Sequence, residues 1–126
     1  MILSKVIEQV RALKSGYEVS EEQLRRMINA AEMMILTNIV RDREGDAAVL
    51  EEYTGVDMDS EDGTELFAPA PYEDIYAQYC AAQIDLLYED GERYLNDAAV
   101  FHDTYNALMR FWWQTHRQIK RHAYFK

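Results

Sequence analysis

Leu3, Val6, Ile7, Val10 and Leu13 recur at three- and four-residue steps. That spacing predicts a short amphipathic helix ending near Ser15-Gly16, where glycine suits a left-handed cap. Ser20, followed three residues later by Gln23, is a capping box and predicts a second helix start. Its apolar stripe reads Leu24, Met27, Ile28, Ala31, Met34, Ile35 and Ile39, and it should stop around Arg41, before the polar stretch that contains Gly45.

Residues 42–70 interrupt this regularity with ten acids, Gly45, Gly55, Gly63 and Pro69, and only brief apolar pieces at 47–50 and 66–68. Loops of that length in compact domains are commonly functional, mobile or ordered by a partner. Residues 47–53 and 64–68 are the candidates for a small hairpin. Pro71 fits the first turn of a third helix, with Glu73 and Asp74 where the helix dipole favours acids. That helix carries Ile75, Tyr76, Tyr79, Ala82, Leu86 and Leu87 and breaks near Asp90-Gly91. A fourth presents Tyr94, Ala98, Phe101, Tyr105, Leu108 and Trp112 at steps of four and three, the spacing of a seam against a partner helix, and should reach Lys120. The expected fold is all-α: one small antiparallel domain over 1–126, of about four helices, with a long acidic loop or hairpin (42–70) between helices two and three and a basic aromatic tail over 117–126.

The chain has 126 residues, long enough to bury roughly two thirds of its unfolded surface in one core. Cys80 is its single cysteine, so neither an internal disulfide nor a thiolate zinc cluster can be built from this chain alone. The opening MILSKVIEQV has an acid at Glu8 and no apolar signal region, and no run approaches the roughly 18 apolar residues of a membrane span. A soluble chain not exported by the general route is expected.

Net charge is −10, unevenly spread. Residues 1–41 carry +1, 42–66 carry −9, 67–99 carry −6 and 100–126 carry +4. An excess of acid disfavours phosphate-backbone binding. Separate acidic and basic poles can meet within a subunit or between copies; a solvated acidic loop and a dipole-favoured basic helix end are the simpler alternative.

Asp57, Asp59, Glu61, Asp62, Gly63 and Glu65 resemble a calcium loop in composition, but counting from Asp57 puts Asp62 where an EF-hand needs glycine and Ala68 where it needs a bidentate acid. The positions three before His102, His116 and His122 are Ala99, Trp113 and Ile119, so the glutamate of a di-iron motif is absent. Cys80 reads as a small buried hydrophobe. No glycine-rich phosphate loop, HExxH or serine elbow occurs. No catalysis, metal or cofactor is expected. Phe111, Trp112, Trp113, Tyr124 and Phe125 interleave with Arg110, Arg117, Lys120 and Arg121, the composition of protein interface anchors; stacking on nucleic acid is the competing use.

Residues 63–113 contain Thr64-Glu65-Leu66, then Ala68-Pro69-Ala70-Pro71-Tyr72-Glu73-Asp74-Ile75-Tyr76, then Ala82-Gln83-Ile84-Asp85, then Arg93, Tyr94, Asn96, Phe101 and Tyr105, with Thr115-His116 beyond. This resembles small tailed-phage and prophage proteins of the head-assembly region, in which a TELL-APAPYDELY-like stretch leads into an AQID helix and a long helix rich in Asn, Phe and Tyr. These are similar in size and helical plan to head–tail connector adaptors, or head-completion proteins. Phe67 stands where leucine or valine is usual, Trp112 and Trp113 where tyrosines are usual, and a basic extension follows His116.

The resemblance implies a structural virion protein without catalysis: a ring of copies, dodecameric, seated on the portal protein between capsid and tail. Its partners would be the portal, neighbouring copies and a tail-side connector or stopper protein, with DNA passing nearby without specific binding and no membrane involved. Its place would be the virion, and the host cytoplasm during assembly. On this reading Arg110, Trp113, Arg117, Lys120, Arg121, Tyr124 and Phe125 dock on the portal or the next ring. Glu51, Glu52, Asp57, Asp59, Glu61, Asp62 and Glu65 make subunit contacts or face the channel. The alternative is an acidic DNA mimic or regulatory binding protein.

Overall fold

The computed structural model describes residues 1–119. The protein is all-α: α1 (Leu3–Leu13), α2 (Glu21–Ile35), α3 (Asp46–Glu52), α4 (Ile75–Leu87) and α5 (Gly91–Thr115). Among the described residues no strand forms, only isolated bridges between Ile2 and Glu65 and between Arg43 and Gln118. No helix among them is long and apolar enough to cross a membrane.

Each long helix buries one stripe. Leu3, Val6 and Val10 of α1 meet Leu24, Ile28, Ala31 and Ile35 of α2, Ile75, Tyr76, Cys80 and Ile84 of α4, and Phe101 and Leu108 of α5 in one core. The helix α4 is the hub, lying against α1, α2 and α5. The predicted capping box is present: the Ser20 hydroxyl accepts from the Gln23 N–H, and the Gln23 side chain accepts from the Ser20 N–H. Beyond Ile35 the helix widens into a π-helical turn over Leu36–Val40, closed by the Arg41 N–H on the Leu36 carbonyl, and it ends at Arg41 as its pattern predicts.

The hairpin expected in the acidic connection does not form. Residues 46–52 are the helix α3, entered from Gly45 at φ 79°, because Ala47, Ala48, Leu50, Glu51 and Glu52 are strong helix formers and Asp46 lies in the first turn. Residues 64–66 bond instead to the start of α1. The Thr64 and Asp62 carbonyls accept the Leu3 and Ser4 N–H groups, and the Leu66 N–H reaches the Met1 carbonyl. Two of the N–H groups that a helix start leaves free are thereby satisfied, in a helix whose first residue has no side-chain cap.

Pro71 precedes α4 rather than opening it. Residues 69–75 run through consecutive turns, Tyr72 N–H to Pro69 O and Ile75 N–H to Tyr72 O, and regular helix begins at Ile75. Leu86 and Leu87, expected to pack, are 55% and 50% exposed, while Ile84 and Asp85 turn inward. The helix α5 stops at Thr115, short of the expected Lys120, because residues 116–119 leave it in extended form and bond to 42–44.

Candidate functional site

The aromatic basic end of α5 is largely committed to its own chain. Trp113 donates its indole N–H to the Ile39 carbonyl at 2.9 Å, and the Arg43 guanidinium lies 4.2 Å from the indole centroid. Trp112 is stacked on His116 at 3.7 Å and meets the edge of Phe67 at 4.9 Å, and Phe111 leans on Tyr72 at 5.5 Å. Beyond the helix, the Glu44 N–H donates to the Arg117 carbonyl, the Arg117 N–H to the Glu44 carboxylate, and the Ile119 N–H to the Asp42 carbonyl. Of the seven residues assigned to docking, Arg110 and Arg117 are exposed and Trp113 is 39% exposed over an anchored edge. Lys120, Arg121, Tyr124 and Phe125 lie outside the described residues.

All seven acids assigned to the acidic connection are exposed. Glu51 and Glu52 belong to α3, apart in sequence from the 57–65 group. That group is organised by an arginine of α2. Arg25, only 4% exposed, sends Nη1 to the Asp57 and Ser60 carbonyls at 2.8 Å each, Nη2 to Asp62 at 3.3 Å and Nε to Glu21 at 3.0 Å. A guanidinium, rather than a metal ion, is thus what draws the Asp57 and Ser60 carbonyls and the Asp62 carboxylate together. Asp57 also accepts the Asp59 N–H at 2.8 Å, while its own N–H donates to the Ser60 hydroxyl. At Gly55 (φ 90°), Asn29 accepts the Val56 N–H and crowds the space a Cβ would need, so a side chain there meets both strain and collision. Residues 55–66 are thus fastened to α1 and α2.

Two buried polar clusters escaped the pattern of apolar positions. Glu32, 1% exposed, accepts the Phe67 N–H on one oxygen and the Tyr76 hydroxyl on the other, and the Tyr76 oxygen accepts the Ala68 N–H at 2.8 Å. Burial raises the Glu32 pKa against these stabilising bonds. Burial beside that carboxylate also raises the Tyr76 phenol far above its ordinary value. The second cluster joins Lys14, at the end of α1, to Asp85 at 2.6 Å and Asp97 at 3.0 Å. Asp85 is fully buried, which raises its pKa, and its second oxygen has no hydrogen-bond partner. The Asp97 pKa is lowered, first by the neighbouring Asp85, which keeps the pair's proton, and then by the Lys14 ammonium. One sequence signal could have found Asp85: it is the lone acid in a helix that is otherwise apolar on most sides, which implies a buried partner.

Cys80 is fully buried and its thiol is pushed up to about 12 by burial, the opposite of an activated nucleophile. Among the described residues no group of three or more His, Cys, Asp or Glu is placed to hold a metal ion.

The cavity with the most chemistry in its walls is a cleft of about 320 Å³ where α1, α4 and α5 meet. Gln9, Lys14, Asp74, Gln78 and Asp97 supply polar atoms, and Leu13, Ala77, Ala81 and Val100 supply apolar ones. The Gln9 amide donates to Asp74 at 3.1 Å, which leaves its oxygen buried with no donor; the Gln78 oxygen is in the same condition. A buried acceptor left unpaired costs about 1–3 kcal/mol, so these walls favour an incoming donor. Comparison of this chain with protein-family models, curated proteins and solved structures finds no match.

Proposed function

We propose that this chain is a head–tail connector adaptor, a structural virion protein that sits as a ring on the portal with a tail-side connector or stopper protein beyond it and the genome passing through. One observation carries the reading: the stretch that resembles those adaptors falls on the residues that lock the fold. Thr64 caps α1 through its carbonyl, Leu66, Phe67 and Ala68 are buried, and Ile75 and Tyr76 are fully enclosed. Read as an antiparallel four-helix plan, α1, α2, α4 and α5 with an acidic connection between the second and third suit the layout of such proteins.

In this role the exposed guanidinium groups of Arg110 and Arg117, the open edge of Trp113, and the side chains of Lys120, Arg121, Tyr124 and Phe125 serve partner docking. Glu51, Glu52, Asp57, Asp59, Glu61, Asp62 and Glu65 face a neighbouring subunit or the channel, where carboxylates keep DNA phosphates from adhering. Ring assembly joins one face of a subunit to a different face of the next, which separate acidic and basic surfaces support.

Because residues 116–119 are bonded to 42–44, the clean test of docking removes only 120–126 and, separately, reverses Arg110 and Arg117 to glutamate. The whole chain should co-sediment with its portal, and both variants should bind it more weakly while keeping the helical content of the parent. Absence of portal binding by the whole chain overturns the reading. A monomer that instead titrates a basic DNA-binding protein selects the acidic mimic.

A further inference from the structure

We propose that the groove between α4 and α5, on the side of Met34, binds a basic amphipathic helix of another protein. That helix sets apolar side chains in the two hollows of the groove and a lysine or arginine beside Glu89. The surface is separate from the end of α5 at Arg110 and Arg117, and the inference stands whether or not the connector role does.

The helices α4 and α5 are joined by residues 88–90 alone and pack along each other. Two stripes border the groove between them: Tyr79, Ala82, Gln83 and Leu86 on α4, and Gly91, Tyr94, Ala98 and Phe101 on α5. Steps of three and four are the spacing at which a helix presents one face to a neighbour. Tyr94 borders both hollows. The one at the turn, about 350 Å³, has Leu86, Glu89, Asp90 and Gly91 in its walls, and Leu86 is 55% exposed. The other, about 250 Å³, has Tyr79, Ala82, Ala98, Phe101 and His102, with Met34 of α2 beside them.

The register specifies a helix. Gly91 and Ala98 are seven residues apart, as are Tyr79 and Leu86. Seven residues are about 10.5 Å of helix, so the hollows match side chains i and i+7 of a helix laid along the groove, with i+3 or i+4 resting on Tyr94.

Charge names the partner's flanks. Residues 82–103 hold six acids, Asp85, Glu89, Asp90, Glu92, Asp97 and Asp103, against one base, Arg93. Arg93 pairs with Asp90, and Lys14 of α1 with Asp85 and Asp97. Among the described residues Glu89, Glu92 and Asp103 are in no ion pair, and Glu89 lines the hollow at the turn. Cationic side chains complement this end of the groove. A second copy offering the same face would set Glu89 and Asp90 against their like. Its α1 and α2, which carry Lys5, Arg11, Arg25 and Arg26, bury their apolar stripes in their own core. The occupant is therefore a different chain.

The probe is a synthetic alanine-based helix of about 18 residues, with leucines at i, i+4, i+7 and i+11 and lysines flanking that face. It is titrated into the isotope-labelled full-length chain, and the Gln83 side-chain amide and the Ala98 backbone amide are followed by NMR. Both should shift and saturate with a Kd below roughly 100 μM. A peptide of the same composition with its leucines scattered around the helix, or one with glutamates for lysines, should bind about tenfold more weakly. Leu86→Ser and Glu89→Lys, at exposed positions, should each weaken the lysine peptide about tenfold, and Glu89→Lys should narrow its advantage over the glutamate peptide. Unmoved Gln83 and Ala98 resonances, shifts centred on Gln9 and Gln78 instead, or equal affinity for the scattered-leucine peptide would overturn the assignment. So would a Gln83 resonance that moves with the concentration of the chain alone as it dimerises, which gives the groove to a second copy.

Discussion

The Tyr76 hydroxyl donates to one carboxylate oxygen of Glu32, whose other oxygen takes the Phe67 N–H at 2.9 Å. Through this pair α2 and α4 hold the chain segment that returns to cap α1, so three helices and one irregular stretch depend on two side chains. Polar groups at such a depth are stabilising only while every member stays satisfied.

Replacing Tyr76 by phenylalanine keeps the ring and removes the network's centre. The Ala68 N–H loses its acceptor and the Glu32 carboxylate one of its donors, both in buried surroundings. The expected cost is about 3 kcal/mol, read as a lower midpoint of urea unfolding with unchanged slope. A loss below about 0.5 kcal/mol would mean that water reaches the site.

Glu32 predicts a direction for the pH dependence. Burial raises its pKa above 4.5, so the native state binds its proton more tightly than the unfolded chain. The stability it contributes is complete below that unfolded value and declines as pH rises through the folded one. Glu32→Gln removes this slope, so denaturant unfolding of both proteins at a series of pH values should show the stability difference changing in favour of the glutamine variant as pH rises. Parallel curves would contradict the assignment.

Arg25→Met keeps the stem on α2 and deletes the bonds to Asp57, Ser60 and Asp62. Hydrogen exchange should quicken at Ser60 and Thr64, whose amides close turns in this segment, while α4 and α5 keep their protection. The cost is about 2 kcal/mol, the range of hydrogen bonds from a charged donor. Unchanged exchange at Ser60 would show that the segment holds its form without the guanidinium.

The legible parts of this fold were those with local causes. Ser20 and Gln23 mark a helix start by their own chemistry, and the stripe from Leu3 to Leu13 marks its helix by periodicity alone. Residues 47–53 were misread because seven residues give too little period to separate helix from strand, and the helix formers Ala47, Ala48, Leu50, Glu51 and Glu52 behind the first-turn Asp46 decide for helix. The end of α5 was invisible locally: nothing after His116 forbids helix, and the extended form comes from pairing with residues 42–44, more than seventy positions earlier. Arg25 and Glu32 occupy helix positions that read as solvent-facing, and only the return of the 57–68 segment buries them. The cleft likewise needs three helices before it exists, so none of its walls could be assembled from spacing.

Electron microscopy of the full-length chain mixed with its portal tests the connector role most directly. The role predicts end-on views with an added ring of density on the portal's tail-facing side, one copy of this chain for each portal subunit. Bare portals beside free protein, at concentrations well above the portal's own, would contradict it.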